Sequence, residues 1–373
     1  MLLALLSGTI LLYFLCGSQS DFHPENFGQG RETSGREVFR EGNCESVIGA
    51  EKVLEFFQCI KNEKIDKKYL IIGASQLHSI NKMQPGDQLA VEVFNKNPSA
   101  KKDFKLYQVS TPNANFNDIL VIYLLSLQSN IRFSKVILPF VHDDLREYPM
   151  QDQFLKKIDR RFFGLIKPNH KISEIESAIT SLNEDKRLAD GDTKLNNQSV
   201  IEEFIESKLI FFFPALSYRG RLSARISITF EYFFTNLFQS LYKTFSKINS
   251  EIRYPNISEN TLKWNLDAFD TFIRIASDQK TQIIVYRQPI RPLKKGETFY
   301  FDRIQYDELF HRTVDTYKKQ VLFFDLDNIV PTDYWGETNL GQPDIFHFTA
   351  IGHRLLGQNL KSIFSRNEIQ NLK

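Results

Sequence analysis

Ser75 lies in Leu70-Ile71-Ile72-Gly73-Ala74-Ser75-Gln76, a short apolar run that enters a turn of small residues. A serine hydroxyl becomes a useful nucleophile only when a base takes its proton and a third group orients that base. Near the other end of the chain, Asp344-Ile345-Phe346-His347 supplies both types, and a three-residue separation lets Asp344 accept from one imidazole nitrogen while the other faces Ser75. The small residues Gly73 and Ala74 leave the Ser75 oxygen accessible, and backbone N–H groups at the start of a following helix can face a developing oxyanion. Each piece also has an ordinary reading. Gly-x-Ser occurs in common turns, and Asp344, His347 or Thr349 can cap the next helix.

The elements that must position these residues follow from periodicity. Tyr69 to Ile72, Leu106 to Val109 and Lys135 to Val141 are apolar runs expected as buried strands, with Ile119 to Leu127 a buried helix between the second and third. Gln282 to Tyr286 and Val321 to Leu326 continue the series, and a helix is expected from about Thr349 to Phe364. Strands alternating with helices predict a parallel sheet with right-handed crossovers in a three-layer α/β/α, flavodoxin-like arrangement. The expected division is residues 1–20 as a signal peptide or anchor, 21–66 as a linker and N-terminal segment, 67–150 and 261–373 as the two parts of the α/β domain, and 151–260 as a helical insertion. Regular structure is expected to begin near Val53. Within the insertion, Phe230, Phe233, Phe234, Leu237, Phe238, Leu241, Tyr242 and Phe245 share one helical face. That face either packs on the protein's own core or docks to a membrane or partner, the second reading drawing on Arg219, Arg221 and Arg225.

Composition narrows the classes. With 47 Lys plus Arg against 45 Asp plus Glu, the net charge of +2 offers no field to gather nucleic acid, which is excluded as a partner. The seven His and three Cys show no zinc-site spacing, and there is no phosphate-cradling glycine loop or redox signature, so no metal or cofactor is expected. Leu2 to Cys16 is almost wholly apolar and leads into Gly17-Ser18-Gln19-Ser20, which suits export by a cleaved signal or an uncleaved anchor, on the periplasmic or extracellular side. In an exported chain Cys44 and Cys59 are the natural disulfide pair, since Cys16 falls in the targeting segment; two buried thiols are the alternative. At or after strand ends stand Arg146, Arg287 and Arg291, either as grips for a carboxylate or phosphate or as structural ion pairs.

Taken together, the Gly73-x-Ser75 turn after a strand and Asp344-x-x-His347 before the last helix resemble the SGNH, or GDSL-like, hydrolase superfamily. The likeness covers roughly residues 67–150 and 261–365. It implies an oxyanion hole made by the Ser75 N–H and by two further blocks. The second block falls in Pro112-Asn113-Ala114-Asn115-Phe116-Asn117-Asp118, which has no Gly but offers a backbone N–H or the Asn115 amide, making Asn113 and Asn115 the oxyanion or pocket candidates. At the third, His142, Asp143 and Asp144 stand where the family has Gly-x-Asn-Asp, and an ionised Asp143 cannot donate to an oxyanion. Architecturally the chain is similar to envelope proteins that handle acyl groups, such as alginate O-acetylation proteins and the D-alanyl-transfer protein of Gram-positive walls. This implies a serine esterase or O-acyltransferase acting on an acyl ester or carbohydrate of an envelope polymer, with a membrane acyltransferase as partner. The competing expectation is a non-catalytic envelope binding protein with a vestigial triad.

Overall fold

Near-continuous apolar runs make strands that are buried on both faces, and such strands assemble in parallel under helices. The computed structural model describes residues 33–40, 43–96, 104–146, 150–159, 175, 257–294, 302–337 and 343–370. Its central sheet has seven strands in the order β2-β3-β6-β4-β7-β8-β9. These are β2 (Val38–Arg40), β3 (Asn43–Ile48), β4 (Lys67–Gly73), β6 (Phe104–Ser110), β7 (Lys135–Phe140), β8 (Gln282–Arg287) and β9 (Val321–Asp325). All neighbours run parallel except β2, which turns back antiparallel on β3. Leu70, Ile72, Val136, Ile137, Ile284 and Val285 are sealed from solvent. Each such side chain contributes about 1.5–3 kcal/mol by leaving water.

Helices cover both faces, as expected for three α/β/α layers. On one side α4 (Phe116–Gln128), α7 (Glu259–Asp278) and α8 (Arg303–Tyr317) meet through Phe116, Phe140, Phe269 and Phe310, whose rings contact one another or Tyr306 and Tyr317. On the other, α3 (Ala90–Asn95) and α9 (Ala350–Gln370) pack Ala90, Phe94, Leu356, Leu360 and Phe364 over Tyr69 and Ile71. This accounts for part of the high phenylalanine content. Two small antiparallel pairs lie outside the main sheet: β1 (Thr33–Gly35) with β5 (Ser79–Asn81), and β10 (Trp335–Glu337) with β11 (Pro343–Phe348).

Several boundaries differ from the sequence expectation. Structure begins before Val53: β1, β2 and β3 all precede it, so the expected linker contributes two strands to the sheet edge. Asn and Glu interrupt the apolar pattern of β3, whose inward residues Cys44, Val47 and Ile48 are nevertheless buried. The expected insertion also gives up its ends. Residues 150–159, which carry the one-turn α6 (Asp152–Leu155), join the sheet unit through buried Phe154 and Leu155 and through the Gln151 N–H, which donates to Asp118 at 2.7 Å. At the other end α7 starts at Glu259, with the Ser258 hydroxyl accepting from the Thr261 N–H. All described residues belong to one compact unit drawn from residues 25–179 and 255–373. The N-terminal apolar segment, the phenylalanine-rich helix and Arg219, Arg221 and Arg225 lie outside the described residues. Among the described helices none is long and apolar enough to cross a membrane.

Cys44 of β3 and Cys59 of α1 (Val53–Asn62) are joined in a disulfide spanning 15 residues. The two thiols therefore form a bridge, fixing the edge of the sheet to its first helix. Restricting a loop of that length in the unfolded chain is worth about 3 kcal/mol. The Cys44→Ser/Cys59→Ser variant is expected to lose roughly this stability in urea unfolding without a change in far-ultraviolet circular dichroism. An unchanged midpoint would show that the bridge carries no load.

Candidate active site

The main-sheet order β6-β4-β7-β8-β9 reverses direction at β4, and in such sheets ligands bind at the carboxyl ends of the strands beside that reversal. Ser75 sits there. It opens α2 (Ser75–His78), preceded by Ala74 in extended conformation. Gly73 is required by proximity: a Cβ at this position would lie 2.6 Å from Pro139 Cγ on β7. The helix expected after Ser75 is a single turn, after which the chain returns as β5. The first N–H groups of a helical turn have no intrahelical carbonyl to bind, which leaves those of Ser75 and Gln76 to face an incoming oxygen, while the Leu77 N–H donates to the Ala74 carbonyl at 3.1 Å.

Ser75 Oγ lies 3.0 Å from His347 Nε2 across a sequence separation of 272. On the opposite edge of the ring, His347 Nδ1 is 2.9 Å from Asp344 Oδ2. A carboxylate at Nδ1 places the ring proton there, so Nε2 carries the lone pair that accepts the Ser75 hydroxyl. Asp344 and His347 lie on β11 rather than in a loop. The β10–β11 pair holds them, while the Thr349 hydroxyl donates to the Tyr334 carbonyl at 3.1 Å. Asp344 Oδ1 accepts the backbone N–H groups of Phe346 at 3.0 Å and His347 at 2.9 Å. Its Oδ2 also accepts from Asn81 Nδ2 at 3.2 Å.

Burial alone would push the Asp344 carboxyl up, but the His347 charge and these hydrogen bonds hold it below its ordinary value. For His347 burial pulls the other way, towards the neutral ring; the Asp344 charge and hydrogen bond outweigh it, helped by the charge of Asp143, and the imidazole is raised above its ordinary value. A base strengthened in this way can take a serine proton and hold it as a new charge develops.

The other candidates fall in distinct places. Asn113 is exposed with a φ of 52°, a left-handed position that asparagine tolerates, and serves the turn. Asn115 is buried, and its Oδ1 accepts the N–H groups of Asn117 and Asp118, capping α4. Both stand in the segment after β6, which the Thr111 N–H ties to the Gly73 carbonyl at 3.1 Å. His142 and Asp143 open α5 (His142–Arg146) after β7, with His142 Nδ1 at 3.4 Å and Arg146 Nη2 at 3.3 Å from Asp143 Oδ1. Asp143 is thus the charge, besides Asp344, that His347 senses.

Arg287, expected as a substrate grip or an ion pair, forms ion pairs: its guanidinium is held by Asp307 and Asp325 and lies over the Tyr306 and Phe310 rings. Arg291 is buried, and its N–H donates to the Ile345 carbonyl inside the Asp344–His347 segment at 3.1 Å. Among residues with metal-ligating side chains, Cys44, Cys59 and Glu63 cluster, but the sulfurs are joined in the disulfide.

Two positioning groups escape sequence reasoning. Asn81 holds Asp344, and buried Asn265 of α7 accepts from the Phe116 N–H at 3.2 Å while donating to the Leu145 carbonyl at 3.0 Å, which locks the segments after β6 and β7 together. No spacing marks either one, since their partners are 120 residues or more away in sequence.

Asp344→Asn removes the charge that opposes burial at His347. Nuclear magnetic resonance of the imidazole is expected to show a titration midpoint above the ordinary histidine value of about 6.5 in the unmodified chain, and below it in the variant. An unmoved midpoint would disconnect the two residues.

Comparison with known protein families finds no match for this chain, and comparison with curated proteins finds no relative.

Proposed function

We propose that the protein is a serine-dependent acyl-transfer enzyme of the SGNH type, an esterase or O-acyltransferase acting on acyl esters of an envelope glycan or polymer. The observation that carries this reading is the continuous hydrogen-bonded chain from Ser75 Oγ through His347 to Asp344, with the nucleophile at the carboxyl end of a central parallel strand. In the proposed reaction His347 Nε2 takes the Ser75 proton as Oγ bonds to the ester carbonyl carbon. The carbonyl oxygen becomes an oxyanion facing the N–H groups that open α2. Collapse of that intermediate breaks the bond to the leaving alkoxide, which receives the proton from His347, and the acyl group stays on Ser75. A second hydroxyl then gives its proton to His347 as its oxygen bonds to the acyl carbon; the bond to Ser75 Oγ breaks, and His347 returns the proton to Oγ, restoring Ser75. Water as that acceptor makes an esterase; a sugar or polymer hydroxyl makes an acyltransferase.

One observation favours a different reading. Asp143, a carboxylate, stands at the third-block position where the resembled family donates from an Asn, and one missing oxyanion donor costs about a hundredfold to a thousandfold in rate. On this second reading the fold binds an envelope polysaccharide or a membrane acyltransferase and the triad is vestigial.

A serine-directed fluorophosphonate probe separates the two. The enzyme reading predicts labelling of Ser75 that is lost in Ser75→Ala and falls by at least about 1,000-fold in His347→Ala. Absence of labelling in the folded, unmodified chain would leave the binding reading.

A further inference from the structure

Asn81 ends β5, a strand that lies against both members of the β10–β11 pair. Its side chain is sealed from solvent. Its Nδ2 donates to two oxygens, the Glu337 carbonyl and Asp344 Oδ2, each at 3.2 Å. Two acceptors on one side settle which end of the amide faces them. The Asp344 oxygen it binds is the same one that accepts His347 Nδ1. The amide also has no room to turn: a Cβ on Gly336 would fall 1.8 Å from Asn81 Cγ and Oδ1, so the bare glycine backbone packs directly on it. Asn81 Oδ1 is buried with no hydrogen-bond partner among the described residues. An apolar side chain of similar shape would fill this space without burying an unpaired amide oxygen, so packing alone does not call for asparagine here.

We propose that Asn81 is a positioning residue of the triad, fixing the rotation of the Asp344 carboxylate so that Oδ2 faces His347 while Oδ1 serves the Phe346 and His347 backbone. It acts through Asp344 and does not itself touch Ser75 or His347 in the described hydrogen bonds. The proposal rests on the acyl-transfer reading for its catalytic consequence, but its structural half is independent of activity. The charged groups that bear on His347 are Asp344 from β11 and Asp143 from α5, and His347 in turn bears on His353 of α9. His353 is held largely neutral by burial, its pKa down to about 4, and its Nε2 lies 2.9 Å from the Ser79 carbonyl. Asp344 is therefore the group whose displacement His347 would feel most.

Asn81→Leu keeps the branched heavy-atom shape and removes the donor without adding charge; Asn81→Ala removes the donor with less bulk, should the larger leucine not be accommodated. If Asn81 holds the carboxylate in place, its loss lets Asp344 turn away. The His347 titration midpoint, read by nuclear magnetic resonance, then falls by about one unit. The plateau rate of Ser75 labelling by the fluorophosphonate falls about 10- to 100-fold. A role limited to holding the Glu337 carbonyl would lower the melting temperature and leave the midpoint alone. An unchanged midpoint overturns the proposal, and so does a rise, which would mean that the carboxylate stays put and merely loses a screening dipole. Failure of the unmodified chain to label would sink the acyl-transfer reading; the midpoint would still decide whether Asn81 positions Asp344.

Discussion

The buried charge of Asp344 is the constraint around which this end of the sheet is organised. A carboxylate removed from water is costly unless nearly every lone pair finds a donor. Here two backbone N–H groups, one imidazole N–H and one asparagine amide meet its two oxygens. Charge-assisted bonds of this kind contribute about 1.5–3 kcal/mol each, enough together to keep the group ionised in its buried place. The same arrangement raises the basicity of His347 and aims its other nitrogen at Ser75. Stabilising the carboxylate and preparing the base are thus one structural act.

The sheet delivers the participants to one place. Ser75 follows β4, the segment with Asn113 and Asn115 follows β6, and His142 and Asp143 follow β7, so three neighbouring strands release their loops at a common edge. The segment after β8 links this edge to β11: the Gln288 backbone N–H donates to the Phe140 carbonyl at the end of β7, and the Arg291 backbone N–H to the Ile345 carbonyl. Close approach of β4 and β7 depends on Gly73 facing Pro139. Precision at the nucleophile therefore comes from the rigid part of the fold, and the loops inherit it.

The three-layer architecture was legible because β4, β6, β7 and β8 each hold a run of mainly apolar residues, and a strand buried on both faces announces itself in composition. The residues of the hydrogen-bonded triad were legible for a different reason: few side chains can act as nucleophile, base and orienter, and these stood beside recognisable element boundaries. What stayed hidden depends on contacts between distant segments. β3 mixes Asn and Glu among its apolar residues and becomes a strand because β6 offers it an edge. Asn81 and Asn265 are ordinary polar residues until the fold brings a carboxylate or a stranded carbonyl to them. Arg287 could not be distinguished from a substrate grip because Asp307 and Asp325 arrive from separate elements.

Asp143 gives this site its particular character. Its charge raises the basicity of His347, while on the proposed acyl-transfer reading a carboxylate there withholds a donor from an oxyanion. The central claim is that acyl groups pass through Ser75. Mass spectrometry of the chain quenched in acid after brief incubation with an activated acetyl ester tests this most directly. The account predicts an acetyl group on the peptide containing Ser75 that disappears on longer incubation with a hydroxyl acceptor. Acetylation confined to surface lysines, with Ser75 unmodified at every time, would contradict it.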